Sequence, residues 1–404
     1  MRACCSRLDF NNASEDGLKQ LAQTCDPAKF GLNQEHVLDE AYRSAGKLDL
    51  SEFSIGFDPE SSRIMDAIRE VLLSGHETAG LGIRWELYKL NVYGPGQFFK
   101  AHKDTPRDDT MFASLVVILP TVHEGGALRF EHQDRTFVFD SAAAVAKSPP
   151  SSVAFTAFYS DINHEVTPVT SGYRVTLTYN LFFLDVAPAM SIPFVSPQED
   201  AMRAAIDALL HEDEFLPKGG YIGFALRHEY ALQPMQKTST LERFLKGSDA
   251  VLAKASQSLG LQTKVWMAFT DQNGPWGQWV RVLSPIRPEP GKGQFEEGIM
   301  GVLRKRYGAK LLDSTGDYNS VGPDITVHWA TPMEAMPAHR FSTSYMAYGN
   351  EPSLVRIYGS LCLLIQVGPN GDRVSGEPEP PSQKEEDKSS KRKTGGRTVT
   401  TRRK

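Results

Sequence analysis

The chain has 404 residues, a formal net charge of −5 and a hydrophobic fraction of 40%. That length exceeds the usual single domain, and the apolar fraction is enough for well-filled cores. The acidic balance argues against a general nucleic-acid coating protein, which would be basic.

No stretch of about eighteen apolar residues is present, so no membrane contact is expected. Met1-Arg2-Ala3-Cys4-Cys5 has none of the apolar character of a secretory leader. Cys4, Cys5, Cys25 and Cys362 form neither a disulfide framework nor a C-x-x-C pair. A reducing, cytoplasmic or nuclear location is the corresponding expectation.

Residues 1–83 read as a helical support region. Glu15 to Thr24, Leu38 to Ala45 and Ser61 to Leu73 each place apolar residues at helical spacing. From residue 84 to 190 the pattern turns to short β segments punctuated by Gly, Pro and Asp. These run over Leu87–Tyr93, Phe112–Leu119, Ala127–Phe130, Thr136–Phe139, Ser152–Tyr159 and Tyr173–Leu184. Such a series suggests a sandwich or jelly roll.

Residues 196–368 read as a second, accessory α+β domain. Helices are expected at Pro197–His211 and Thr240–Leu259. Strands are expected at Tyr221–Leu226, Thr263–Phe269, Trp276–Leu283 and Leu354–Val367. His328-Trp329 and His339-Arg340 are isolated pairs, Trp266, Trp276 and Trp279 suit a core, and Tyr345, Tyr348, Gly349 and Asn350 suggest a loop. None of these forms a chemical constellation. Residues 369–404 are charged, poor in apolar side chains and expected to be disordered. Their basic end, from Lys388 to Lys404, suits a solvated tail, a nuclear-import signal or a contact with nucleic acid.

Three H-x-D pairs occur: His102-Lys103-Asp104, His132-Gln133-Asp134 and His211-Glu212-Asp213. The last ends an amphipathic helix, where histidine suits the dipole. The second sits in a tight turn close to His164. His102 and Asp104 follow an alternating strand and the turn Gly94-Pro95-Gly96, and in extended backbone residues i and i+2 point to one side. His164 then completes two imidazoles and one carboxylate, the donor set that holds Fe(II) with positions left open.

His164–Pro168 and Tyr173–Leu177 read as two arms of a hairpin with Val169–Gly172 as its turn. Arg174, Thr176 and Thr178 share one face of the second arm. A buried arginine on that face needs an anionic partner, and its planar fork suits a dicarboxylate.

At these positions the chain resembles the prolyl 4-hydroxylase-like branch of the Fe(II)/2-oxoglutarate dioxygenases. The carriers are Tyr93 with His102-x-Asp104, the Gly-Gly-x-Leu of Gly125 to Leu128, and His164 with Arg174, all within about residues 84–185. The resemblance implies an α+β chain with a double-stranded β-helix core. It implies iron held by His102, Asp104 and His164, and 2-oxoglutarate held by Arg174 with Tyr93 and Thr176. Tyr88, Asn91 and Tyr179 are further candidates for the pocket wall.

The implied reaction hydroxylates a C–H bond with O2 and releases succinate and CO2, with ascorbate as an optional reductant. By analogy with the family, a protein side chain, proline first, is the expected substrate. The alternatives are a nucleic-acid demethylase and a non-catalytic interaction or sensor protein. A demethylase calls for a basic, aromatic rim. Here Lys103 and Arg107 alternate with Asp108 and Asp109, and Asp140–Ser151 is read as a second rim loop.

Overall fold

The computed structural model describes residues 6–32, 35–73, 81–133, 135–149, 151–185, 197–271, 280–288, 298–314, 322–331, 341–347 and 353–379. The chain is α+β, and its strands pair almost entirely antiparallel.

The first helix, α1, spans Glu15–Thr24 and is capped by the Ser14 hydroxyl, which accepts from the Gly17 amide. The segment after it departs from the helical expectation. It forms short strands β1 (Asp26–Pro27), β2 (Phe30–Leu32), β3 (Glu35–Val37), β4 (Arg43–Ser44) and β5 (Gly46–Leu48). Leu38–Ala45 is therefore turn and strand. Gly46 approaches Cys25 so closely that a Cβ would lie 2.7 Å from it, and sheet edges outside this segment need covering. Helix α2, Ile64–Leu72, follows and buries Ile64, Met65, Ile68 and Leu72.

The central strands are β6 (Leu81–Tyr93), β7 (Phe98–His102), β8 (Met111–Ile118), β9 (His123–Gly125), β10 (Leu128–His132) and β11 (Arg135–Phe139). After helix α3 (Ser141–Lys147) come β12 (Ala154–Tyr159), β13 (Asn163–Val166), β14 (Val169–Gly172) and β15 (Arg174–Asp185). They form a six-stranded sheet, β1-β5-β6-β15-β8-β12, and a five-stranded sheet, β11-β10-β13-β7-β4.

The two sheets pack face to face. Tyr93 and Phe158 of the first meet Phe99, Leu128, Phe130 and Val166 of the second in one apolar cluster. The other face of the six-stranded sheet carries Val175, Leu177, Tyr179 and Leu181 against α1 and α2. The alternation along β15 thus sends its polar residues between the sheets and its apolar ones under the helices.

The hairpin expected across His164–Leu177 does not form. β13 pairs with β10 and β7, whereas β15 pairs with β6 and β8 in the opposite sheet. Val169–Gly172 is itself a strand, β14, paired with β9. Two antiparallel-looking arms in sequence were instead drawn to different sheets by the apolar face each must bury.

A further sheet is built from β16 (Gly220–Ala225), β17 (Thr263–Asp271), β18 (Val280–Ser284), β19 (Lys310–Ser314), β20 (Val327–Trp329), β21 (Phe341–Ala347) and β22 (Ser353–Val367). Helices α4 (Pro197–Leu210), α5 (Gly247–Ser258) and α6 (Gly298–Tyr307) accompany it. Ile206, Leu252 and Leu303 bury against Ile222, Val265 and Leu363.

The single helix expected over Thr240–Leu259 is broken. A 3-10 turn, Thr238–Phe244, precedes α5, and Gly247, the first residue of α5, takes a left-handed φ of 46° beside Tyr159 and His228. Trp266 packs at the sheet's other face as expected. Trp276, Trp279, His339, Tyr348, Gly349 and Asn350 lie outside the described residues, as do Cys4 and Cys5.

The residues just past 368, expected to be disordered, are held against the accessory sheet's segment. Arg373 donates to the Leu216 carbonyl and Glu379 to that of Lys218. The charged stretch from 380 onward lies outside the described residues. Among the described residues no helix is long and apolar enough to cross a membrane.

Candidate active site

His102 ends β7 and His164 lies in β13, directly opposite it in register. Their rings approach to 4.2 Å between centroids. Each Nδ1 donates to a backbone carbonyl two residues earlier, Lys100 at 2.8 Å and Ile162 at 3.0 Å. A carbonyl can only accept, so both rings carry a proton on Nδ1, which leaves Nε2 as the nitrogen each ring can offer a metal.

Asp104 follows β7 and places Oδ1 3.9 Å from His164 Nε2. One donor atom from each of the three residues fits within 4.8 Å, close enough for one metal ion. Burial, reinforced by the neighbouring His164, pushes the His102 pKa down to about 3. The neutral imidazole is the ligand form.

Two hydroxyls that sequence reading missed complete the arrangement. Ser114, in the apolar strand β8, donates to Asp104 Oδ2 at 2.5 Å. That leaves Oδ1 turned toward the histidines. Its signal was a lone hydroxyl in the run Phe112–Leu119. Ser141, the first residue of α3, accepts from Arg174 Nε at 3.2 Å and is in turn met by His123 Nε2 at 3.2 Å. α3 therefore lies behind Arg174, and the expectation of a rim loop over Asp140–Ser151 is corrected.

Arg174 is 1% exposed. Its second terminal nitrogen has no hydrogen-bond partner among the described residues. Burial lowers its pKa to about 10, so it stays charged at neutral pH. A buried charge with an idle donor is costly, and a carboxylate placed there would repay it. Tyr93 lies across the ladder, with the guanidinium 5.5 Å from its ring centroid. Gly126, at φ 65°, leaves the channel for this side chain: a Cβ there would sit 2.8 Å from Arg174 Cδ.

His102, Asp104, His164, Arg174, Tyr93 and Thr176 all line one cavity of about 280 Å³, joined by Tyr88 and Asn91. Tyr179 does not; its ring packs on the helix side of the sheet. The two other H-x-D pairs stand apart. His132 stacks on His228, and His211 closes α4 on the Asp207 carbonyl. Asp134 lies outside the described residues.

The rim differs from its sequence reading in one respect. Lys103 and Arg107 face the cavity, but Asp108 and Asp109 do not. Asp108 caps the turn into β8, accepting from Thr110 and Met111, and Asp109 accepts from Gln233.

Residues 88–182 match the family model described as the 2OG-Fe(II) oxygenase superfamily, a span that contains every residue of the donor set and Arg174. No curated protein matches the chain. Among solved structures, a Pseudomonas putida prolyl-4-hydroxylase is 18% identical over 42% of this chain and 83% of its own, with a TM-score of 0.25. A Trichoplax adhaerens prolyl hydroxylase, in complex with a hypoxia inducible factor oxygen degradation domain peptide fragment, is 18% identical over 41% and 74%, TM-score 0.29. The viral collagen prolyl hydroxylase of Paramecium Bursaria Chlorella virus-1 is 17% identical over 43% and 93%, TM-score 0.24.

Proposed function

We propose that this Fe(II)- and 2-oxoglutarate-dependent dioxygenase hydroxylates a C–H bond of a protein side chain, as the prolyl 4-hydroxylase-like branch does. The observation that carries the cofactor reading is the pairing, in one cavity, of two imidazoles and a carboxylate at metal-binding distance with a buried, half-satisfied arginine. The two facing sheets support a double-stranded β-helix core. Residues 1–185 are assigned to the oxygenase unit and 197–379 to an accessory α+β domain.

His102, Asp104 and His164 would hold the iron, with Ser114 fixing which Asp104 oxygen is offered. Arg174 would receive the far carboxylate of 2-oxoglutarate, flanked by Tyr93 and Thr176. Bound iron, with 2-oxoglutarate and dioxygen, supplies the C–H hydroxylation and releases succinate and CO2. The chain's own part is to orient the donors, neutralise the co-substrate and exclude water. Phe99 stacked on His102 and Phe158 at 4.5 Å from His164 do the last.

The cavity, at about 280 Å³, lies just below the roughly 300–1,000 Å³ usual for ligand sites. Once 2-oxoglutarate is seated, a small side chain fits the remainder better than a flipped nucleobase. Nucleic-acid demethylation stays as a second reading because the rim is basic. The test is turnover on peptide and methylated-oligonucleotide pools. Succinate matched by a one-oxygen mass gain on peptide supports the proposal, and formaldehyde from the oligonucleotides contradicts it.

A further inference from the structure

The charge around the cavity is lopsided. Five cationic side chains line it ahead of Arg174: Lys29, Arg43, Lys89, Lys103 and Arg107. Among the described residues the lone carboxylate in the lining is Asp104, already placed with the candidate metal donors. Arg43 spends two nitrogens on the Lys29 carbonyl and the Asn91 amide, and its Nε has no partner among the described residues. Arg107 and Lys89 lie against the Tyr88 ring, at 4.6 Å and 4.5 Å from its centroid.

The band continues into a second cleft of about 550 Å³, which shares Lys103 with the first. This cleft lies between the β10–β11 hairpin and the segment Arg227–Glu229. Its three acidic residues among the described ones are all committed. Glu131 pairs with Arg129 at 2.7 Å, Glu229 with Lys103 at 2.5 Å, and Asp161 with His228 and Lys246. Arg135 and Arg227 make no ion pair among the described residues.

We infer that the residue to be hydroxylated is presented within an acidic peptide segment, whose carboxylates dock on the cationic band from Lys29 and Lys89, past Lys103, to Arg135 and Arg227. This rests on the oxygenase reading above. A surface with surplus cations in a chain of net charge −5 selects its partner by complementary charge. A nucleic-acid strand fits less well. Its unbroken phosphate line would run against Glu131 and Glu229, and it needs open aromatic faces. Here Tyr88 is covered by two cations, while Phe99 lies between Arg43 and His102.

The test is fluorescence anisotropy on the full chain with Mn(II) and 2-oxoglutarate. The probes are a labelled peptide of Asp, Glu and Gly around one proline, its Lys-for-acid counterpart, and a single-stranded oligonucleotide of equal length. The acidic peptide should bind at least about tenfold tighter than either, and more weakly as salt rises. The double variant Arg135→Glu/Arg227→Glu should erase that preference while keeping its thermal-shift response to Mn(II) plus 2-oxoglutarate.

Equal binding of the two peptides, a preference that survives the reversal, or tighter binding of the oligonucleotide overturns the inference. If the double variant does not fold, Lys29→Glu/Lys89→Glu applies the same test at the mouth. An acidic preference in a chain with no thermal response to Mn(II) plus 2-oxoglutarate supports the docking surface and counts against the oxygenase reading alone.

Discussion

Asp104 and Arg174 are each steered by a single serine, and the metal side and the arginine side of the cavity predict different losses. Ser114→Ala removes the buried hydroxyl that holds Asp104 Oδ2. Orienting partners of this kind are worth about 10- to 100-fold in metal affinity, so anaerobic Fe(II) titration should show that loss with the fold intact. Unchanged affinity would mean that Ser114 is only packing. Arg174→Met should leave Fe(II) binding in place and weaken 2-oxoglutarate by about 1.5–3 kcal/mol, the value of a charge-assisted bond. Isothermal titration checks it, and an equal loss of iron would contradict the division of labour.

That His102, Asp104, His164, Arg174 and Thr176 share one cavity was legible, because an H-x-D pair in extended backbone and the alternation along a polar strand face obey spacing rules. Ser114 and Ser141 were not, because one hydroxyl in an apolar run or at a helix start has many ordinary explanations.

At the scale of elements, periodicity located most central strands but not their partners. β13 and β15 are neighbours in sequence and members of opposite sheets, a separation decided by long-range burial. The N-terminal segment shows the same limit. Its residues follow helical spacing between Leu38 and Ala45, yet β4 and β5 extend two sheets and bring Arg43 into the cavity.

The turn between β9 and β10 carries an exacting local demand beside the site. Gly126→Ala would place a Cβ 2.8 Å from Arg174 Cδ and 2.9 Å from Val169 Cγ2 at a left-handed φ. It should cost more than about 1 kcal/mol and weaken 2-oxoglutarate binding by displacing Arg174. Denaturant melts and the same titration check both; a variant with wild-type values in each would remove Gly126 from the account.

Across the whole molecule, the oxygenase sheets and the segment around Arg227–Gly247 are joined by a buried polar knot centred on Asp161. It accepts from His228 at 3.1 Å and Lys246 at 3.2 Å and lies three residues before His164. Asp161→Ala would strand Lys246 and should destabilise by about 3–5 kcal/mol.

Burial alone would raise the Asp161 pKa. The His228 hydrogen bond and the Lys246 charge outweigh it and hold the carboxyl below the ordinary carboxylate range. A depressed carboxyl contributes stability that is present above its unfolded pKa, about 3.9, and lost as pH falls below it. Acid melts of wild type and Asp161→Asn should therefore converge below about pH 4. Curves that stay parallel below that range would contradict the assignment. No composition signal marks this knot, because its members are scattered from Tyr159 to Asp249 and meet only after folding.

The most direct measurement is an anaerobic titration of the full chain with Fe(II) and 2-oxoglutarate, followed by succinate release on admission of air. Wild type and the His164→Ala and Arg174→Ala variants would be run together. The account predicts binding and succinate formation in the wild type, loss of iron with His164→Ala, and loss of 2-oxoglutarate with iron retained in Arg174→Ala. A wild-type chain that binds neither ligand, or variants that form succinate at the wild-type rate, would contradict it.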